Sequence, residues 1–171
     1  MKNICLMIIA TILTFSIAQE SFCHNSALTT YRLQVPANED KDWVMDVYLA
    51  KATVDAWLAT SLGAKTKISE EDYHRRMITY VGERIQIEKK SDLNNFHGSL
   101  ISKSGHQINL QYRWKSANIR WQERGLKFHF NAFSDVSHHV NLLQIVTGNI
   151  KKRYLFSRKN NYIREIKIGS D

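Results

Sequence analysis

Cysteine, proline and glycine are all scarce in this chain of 171 residues, which has two Cys, one Pro and seven Gly. Both cysteines, Cys5 and Cys23, lie in or at the edge of an apolar leader, so the rest of the chain is predicted to hold together without a disulfide. The stretch 24–171 is long enough to bury a core unaided. Pro36 is the only proline, there is no Gly/Ser/Pro-rich linker and no repeat, and one domain over 24–171 follows. Seven glycines scattered at turns cannot cradle a nucleotide. There is no dinucleotide fingerprint, phosphate-binding loop, nucleophile elbow, HExxH or paired-cysteine metal site. Aspartate and glutamate are few in the second half, which argues against the two-carboxylate arrangement of glycosidases. No motif stands behind an enzyme.

What is present begins with MKNICLMIIATILTFSIA. Lys2 supplies a positive start and Ile4 to Ala18 an apolar run too short to span a bilayer, the pattern of a secretory signal peptide over 1–23. Cleavage after Ala18 and after Cys23 both satisfy the small-residue rule, and the second would make His24 the new N-terminus. The export signal places the domain in the periplasm or outside the cell. No transmembrane segment is expected after it.

Removing 1–23 takes away Lys2 and Glu20 and leaves 23 basic and 15 acidic residues, so the net charge stays at +8. A basic exported protein meets anionic envelope surfaces or an acidic protein partner, and nucleic acid is not expected. Lys151-Lys152-Arg153, Arg158-Lys159, Arg164 and Lys167 make the C-terminal third the densest in charge. A solvated basic surface is the plainer reading of the same residues.

Periodicity predicts mostly strands. Tyr31, Leu33 and Val35 share one face of a first strand, and Trp43, Met45, Val47 and Leu49 share one face of a second, the pattern of an antiparallel hairpin. Val54, Trp57, Leu58 and Leu62 then recur at three and four, predicting a helix over 53–62 that Thr53 caps and Gly63 ends. Ser69-Glu-Glu-Asp opens a second helix to Val81, with Tyr73, Met77, Tyr80 and Val81 buried and Gly82 as its stop. His74, among Glu70, Glu71 and Arg75, lies on that helix's polar side. Strands follow at 84–88, 98–102, 106–114, 119–122, 126–133, 140–147, 152–156 and 163–168, with Ser104-Gly105 as a hairpin turn. The expected class is α+β, mainly β: antiparallel, sandwich-like sheets with two short helices covering one side or end.

Between the strands at 126–133 and 140–147 lies a polar corner, Ser134-Asp135 and Ser137, that carries the pair His138 and His139. Residues in such a corner are expected to be exposed and held by scaffold on both sides. If cleavage exposes His24, its α-amine and imidazole could chelate one ion, and His138 or His139 could complete a nitrogen site suited to copper or nickel. Such a site would fill at neutral pH and empty in acid. The bland alternative is surface hydrogen bonding. His97, His106 and His129 read as strand or turn residues facing water.

Cys23-His24, the strand LTTYRLQV, the segment WVMDVYLAKATVDAWLAT and the stretch FNAFSDVSHHVNLLQIVTG together resemble small exported bacterial proteins. These are related to the extracytoplasmic N-terminal region of HupE/UreJ-type permeases, which are thought to move nickel or cobalt. The resemblance implies an exported β-rich accessory domain, with His24 and the His138-His139 corner at positions that are polar and histidine-containing in that group. This chain lacks the permeases' membrane helices after its signal, so transport does not carry over. Three functions remain in order. The first is a non-enzymatic binding or accessory domain acting through a partner protein or envelope surface. The second is a soluble copper- or nickel-binding accessory protein using His24, His138 and His139, and the third is a hydrolase of envelope polymers.

Overall fold

A computed structural model describes residues 27–36, 42–63, 67–87, 97–114 and 125–167. The leader, both cysteines, His24 and the strand expected at 119–122 lie outside these residues.

Strands β1 (Leu28–Gln34) and β2 (Trp43–Ala50) pair antiparallel, as the alternation predicts, with Tyr31 opposite Val47 and Leu33 opposite Met45. Helix α1 (Lys51–Leu62) follows β2 without a loop. It starts two residues before the predicted Thr53, which is buried inside it. The earlier start is possible because the Lys51 amide, one of the donors a helix N-terminus leaves orphaned, bonds to the His106 carbonyl at 2.9 Å. Helix α2 (Glu70–Glu83) is capped by the Ser69 hydroxyl, which accepts from the Asp72 amide at 3.1 Å. Such a cap stabilises by about 1 kcal/mol, and three acids in the first turn suit the positive end of the dipole. Gly82 does not end this helix. Arg84 does, folding its guanidinium over the Tyr80 ring at 3.7 Å while its amide bonds back to the last turn.

The remaining strands are β3 (Ile85–Ile87), β4 (His97–Lys103), β5 (Gln107–Trp114), β6 (Leu126–Phe130), β7 (Val140–Thr147), β8 (Ile150–Phe156) and β9 (Ile163–Ile166). They form a six-stranded sheet of order β4-β5-β2-β1-β7-β8 and a three-stranded sheet of order β3-β6-β9. The protein is thus α+β and mainly β, sandwich-like, with two α-helices among the described residues. Among the described strands every pairing is antiparallel except β1 with β7, which run parallel with Tyr31 beside Leu143. A hairpin at Ser104-Gly105 joins β4 to β5, closed by the Ser104 amide on the Gln107 carbonyl at 2.8 Å.

Alternation on each strand sends one set of side chains to a common inner face. Tyr31, Leu33, Met45, Val47, Leu110, Tyr112 and Leu143 are all buried there. The three-stranded sheet covers the β1-β7-β8 half of this face, where Phe130 stacks tilted on Tyr31 at 4.6 Å and edge-on to Phe156 at 5.0 Å. The helices cover the β2-β5-β4 half, where the Tyr112 hydroxyl donates to the Ile78 carbonyl at 2.7 Å. One polar side chain joins the sheets. Asn141 of β7, fully buried, donates from Nδ2 to the carbonyls of Phe130 and Ala132, both at 3.1 Å, and accepts on Oδ1 from the Tyr31 hydroxyl at 3.3 Å.

The edges of the large sheet are blunted. On β8, Lys151, Lys152 and Arg153 are the charges that discourage edge-to-edge pairing, and the Leu155 carbonyl is occupied by Arg164 Nε at 2.7 Å and Asn160 Nδ2 at 2.8 Å. This gives part of the C-terminal basic run a structural role. On β4 the pairing slips between Leu100 and Ser102, a bulge that ends regular edge geometry.

Gly98 marks the tightest helix-sheet contact. A Cβ there would fall 2.6 Å from the Tyr112 ring and 2.7 Å from the Ile78 side chain, both held by the hydrogen bond just described. Gly98→Ala should therefore destabilise the protein by about 1–3 kcal/mol in chemical denaturation, the range for overpacking a close contact. A loss under about 0.5 kcal/mol would show that α2 is free to move away from β4.

Candidate functional site

The corner between β6 and β7 was the first candidate. The chain leaves β6 at Asn131, three residues earlier than the alternation predicted, so Phe133 turns inward rather than toward water. It is fully buried with φ of 56°, and its amide donates to the Tyr80 hydroxyl at 3.0 Å. A β-turn-like run continues through Ser134 N to Asn131 O, Val136 N to Phe133 O and His139 N to Val136 O. Arg158 reaches the Ser134 carbonyl from outside at 3.3 Å, and the Tyr162 hydroxyl donates to the His139 carbonyl at 3.4 Å. The corner is therefore fastened from α2, β7 and the turn before β9.

Its two histidines part company. His138 is exposed, as expected, and takes φ of 58°. His139 is not exposed. It is 2 % accessible, lies edge-on to Phe133 at 5.5 Å, and its Nε2 is 3.0 Å from Thr29 Oγ1 on β1. Adjacent residues in a tight turn point to opposite sides, and the apolar side was already lined by Phe133. His139 Nδ1 is buried without a hydrogen bond. The tautomer that puts the proton on Nε2, donating to Thr29, leaves only a lone pair unsatisfied there. Burial pushes the His139 pKa down to about 4, against smaller upward pulls from the Asn141 side chain and the Asp135 carboxylate.

For metal chemistry, the corner presents one outward imidazole, His138, and one inward, His139. His24 lies outside the described residues. Among the described residues no group of three or more His, Cys, Asp or Glu could hold an ion. The acid-base grouping on α2 is a surface arrangement: His74 Nε2 is 3.7 Å from Glu70 Oε1, and Lys103 Nζ is 3.0 Å from the same oxygen. Of the remaining histidines, His97 and His106 are exposed as read, while His129 is half-buried and burial lowers its pKa.

A different surface stands out from the topology. The outer face of the six-stranded sheet has no described element packed upon it, and its residues are partly exposed from strand to strand. In-register neighbours form rows across it. One row runs Leu155, Leu142, Thr30, Tyr48, Asn109 and Ser102, and the next runs Arg153, Gln144, Arg32, Asp46, Gln111 and Ser99. Leu155 is 53 % exposed. A cavity of about 320 Å³ opens on this face, bordered by Leu28, Thr30, Tyr48, Leu142, Gln144 and Arg153.

The charges there are lopsided. Among the described residues Arg32, Arg113, Lys151 and Arg153 project to this side and Asp46 is the only acid. Asp46 accepts on Oδ2 from Gln34 Nε2 at 3.0 Å and on Oδ1 from Gln111 Nε2 at 2.8 Å. Arg32, beside it in register, keeps a buried Nε with no hydrogen-bond partner. In the sequence this face is marked only by the polar half of the alternation, Thr30, Arg32 and Gln34 against Tyr31 and Leu33.

A second opening, of about 430 Å³, lies between the helices, with Trp57, Leu58 and Leu62 as its apolar side and Arg75, Arg76 and Arg84 around it. Two of these cations are already engaged. Arg75 pairs with Asp72, and Arg84 lies on Tyr80 with Glu83 at 3.8 Å.

The His139 environment sets a pH dependence. The unfolded chain takes up the proton near 6.5 and the folded protein only near 4, so the stabilisation is complete above pH 6.5 and is lost as pH falls from 6.5 toward 4. The loss is about 3 kcal/mol at most. The melting temperature should drop across that window, and His139→Gln, which cannot titrate, should flatten the slope. An unchanged slope in the variant would show that other groups govern acid sensitivity. No protein-family model matches this chain, and no curated protein matches it.

Proposed function

We propose that this protein is an exported, non-enzymatic binding module whose working surface is the open face of the six-stranded sheet, used to engage a partner protein or the anionic envelope surface. The observation that carries the reading is the contrast between the sheet's two faces. The inner one is closed by a second sheet and two helices, while the outer one exposes Leu155 and leaves Leu142 and Tyr48 half-buried beside cations with almost no acid to balance them. An open antiparallel sheet face can stay solvated, but an apolar strip beside unbalanced cations is the pattern of an interaction surface. The basic balance of the whole chain, +8, points the same way, toward an anionic partner.

The export signal and the resemblance to extracytoplasmic accessory regions favour an envelope setting. The metal reading now draws on His138 and His24 rather than on the corner pair, because His139 would have to give up Thr29 and leave its pocket to reach an ion.

Photo-crosslinking in an exporting cell tests the choice of surface. A benzophenone amino acid in place of Tyr48 or Leu155 should give adducts with protein or lipid on illumination, while the same group in place of Arg76, on α2, should give none. Adducts from position 76 alone would place the working surface on the helices instead.

A further inference from the structure

We infer that the outer face binds a lipid with an anionic headgroup, the headgroup lying over Gln144 between Arg32 and Arg153 and an acyl segment lying along the cavity beside Leu142, Leu28 and Tyr48. This rests on the reading of the open face as the working surface and names its ligand.

Arg32 anchors the site. Its Nε is buried and unpartnered, although hydrogen bonds to a charged donor are among the stronger ones and leaving such a donor unmade is costly. Asp46, its in-register neighbour, is turned to Gln34 and Gln111, one on each oxygen, and does not bond the Arg32 Nε. The covered Nε is out of a ligand's reach, so an acceptor from outside the chain would meet the partly exposed remainder of the Arg32 guanidinium. On its other side Arg32 faces Gln144, and Gln144 in turn faces Arg153. Arg32 and Arg153 are two strands apart, roughly 10 Å at their Cα atoms, a span that two long side chains close around one phosphate or carboxylate. Gln144, midway, supplies an amide donor to the same group.

The adjoining row decides between a bare anion and an amphiphile. Leu155, Leu142 and Thr30 lie one step along the strands from Arg153, Gln144 and Arg32 on the same face, with Tyr48 next and Leu28 at the end of β1. The cavity spans both rows, reaching from Arg153 and Gln144 to Leu142, Leu28 and Tyr48. A free phosphate would use the first row and leave the second wet. A ligand that is anionic at one end and apolar at the other uses both, and removes from water an apolar strip that includes Leu155. An acidic peptide would satisfy the arginines but would bring polar backbone to the apolar row.

Co-sedimentation of the mature protein with vesicles is the test. Binding is expected to vesicles of phosphatidylglycerol and phosphatidylcholine in equal parts, not to phosphatidylcholine alone, and millimolar inorganic phosphate should not displace it. Arg32→Gln and Arg153→Gln should each weaken binding by about tenfold. Arg75→Gln, which removes the same charge from the helix side, should change it by less than about twofold. Arg153 is exposed, so its variant keeps the test valid if Arg32→Gln folds poorly. Equal losses in all three variants would replace the site with diffuse attraction and overturn the inference. Displacement by inorganic phosphate would reduce it to an anion site without lipid selectivity, and overturn it as well. Absence of vesicle binding together with protein adducts at Tyr48 or Leu155 would overturn the lipid assignment and leave the open face as the working surface.

Discussion

Asn141 makes the hydrogen bonds on which the arrangement of the two sheets depends. It sits on β7 in the large sheet, with no exposure, and its amide nitrogen donates to two carbonyls at the end of β6 in the small one while its oxygen accepts from the Tyr31 hydroxyl on β1. Phe130 is the last residue of β6, still in register with Ile85, and Ala132 lies just beyond the strand; Asn141 gives both carbonyls a donor. Without Asn141, Phe130 and Ala132 would bury unpaired acceptors at the centre of the core. With it, the chain can turn out of β6 immediately above the sheet and bring Phe133 and His139 inward against Tyr80 and Thr29.

The corner's chemistry is thereby directed to holding the fold. Tyr80 from α2, Tyr162 from the turn before β9 and Arg158 outside it all bind backbone of the same nine residues. This leaves His138 as the corner's outward imidazole. On the far side of the large sheet, the same strands that feed the core present their alternate residues with no described element to receive them. One strand thus links packing to the proposed function: Tyr31 donates to Asn141 on the inside, and its neighbour Arg32 carries the unpartnered Nε on the outside.

The sequence disclosed the strands, the second helix and its Ser69 cap, and the buried sides of β1, β2, β5 and α2, because each rests on periodicity within a short window. It placed Tyr112 and Tyr31 correctly without revealing what their hydroxyls bond. The errors came where distant residues decide a local outcome. Thr53 reads as a cap, yet the His106 carbonyl lets α1 begin at Lys51. Gly82 reads as a stop, yet Arg84 stacked on Tyr80 ends the helix later. His139 sits among serines and an aspartate and reads as surface, but Thr29, 110 residues away, turns it inward. The parallel pairing of β1 with β7 has no local signature at all, and without it neither the Asn141 contact nor the row from Arg32 to Arg153 can be drawn.

The most direct measurement is a double-mutant cycle on the bond between the sheets. It would measure unfolding free energies for Asn141→Ala, Tyr31→Phe and the pair, with hydrogen exchange followed at Phe133 and His139. Asn141→Ala should cost at least about 3 kcal/mol, since two buried carbonyls and a hydroxyl lose their partner, and the cycle should give a coupling of about 1 kcal/mol. The amides of the corner should then exchange ahead of those of β2 and β5. A cost below about 1 kcal/mol with corner protection unchanged would mean that apolar packing alone holds the sheets together. The corner would then not be their fastening.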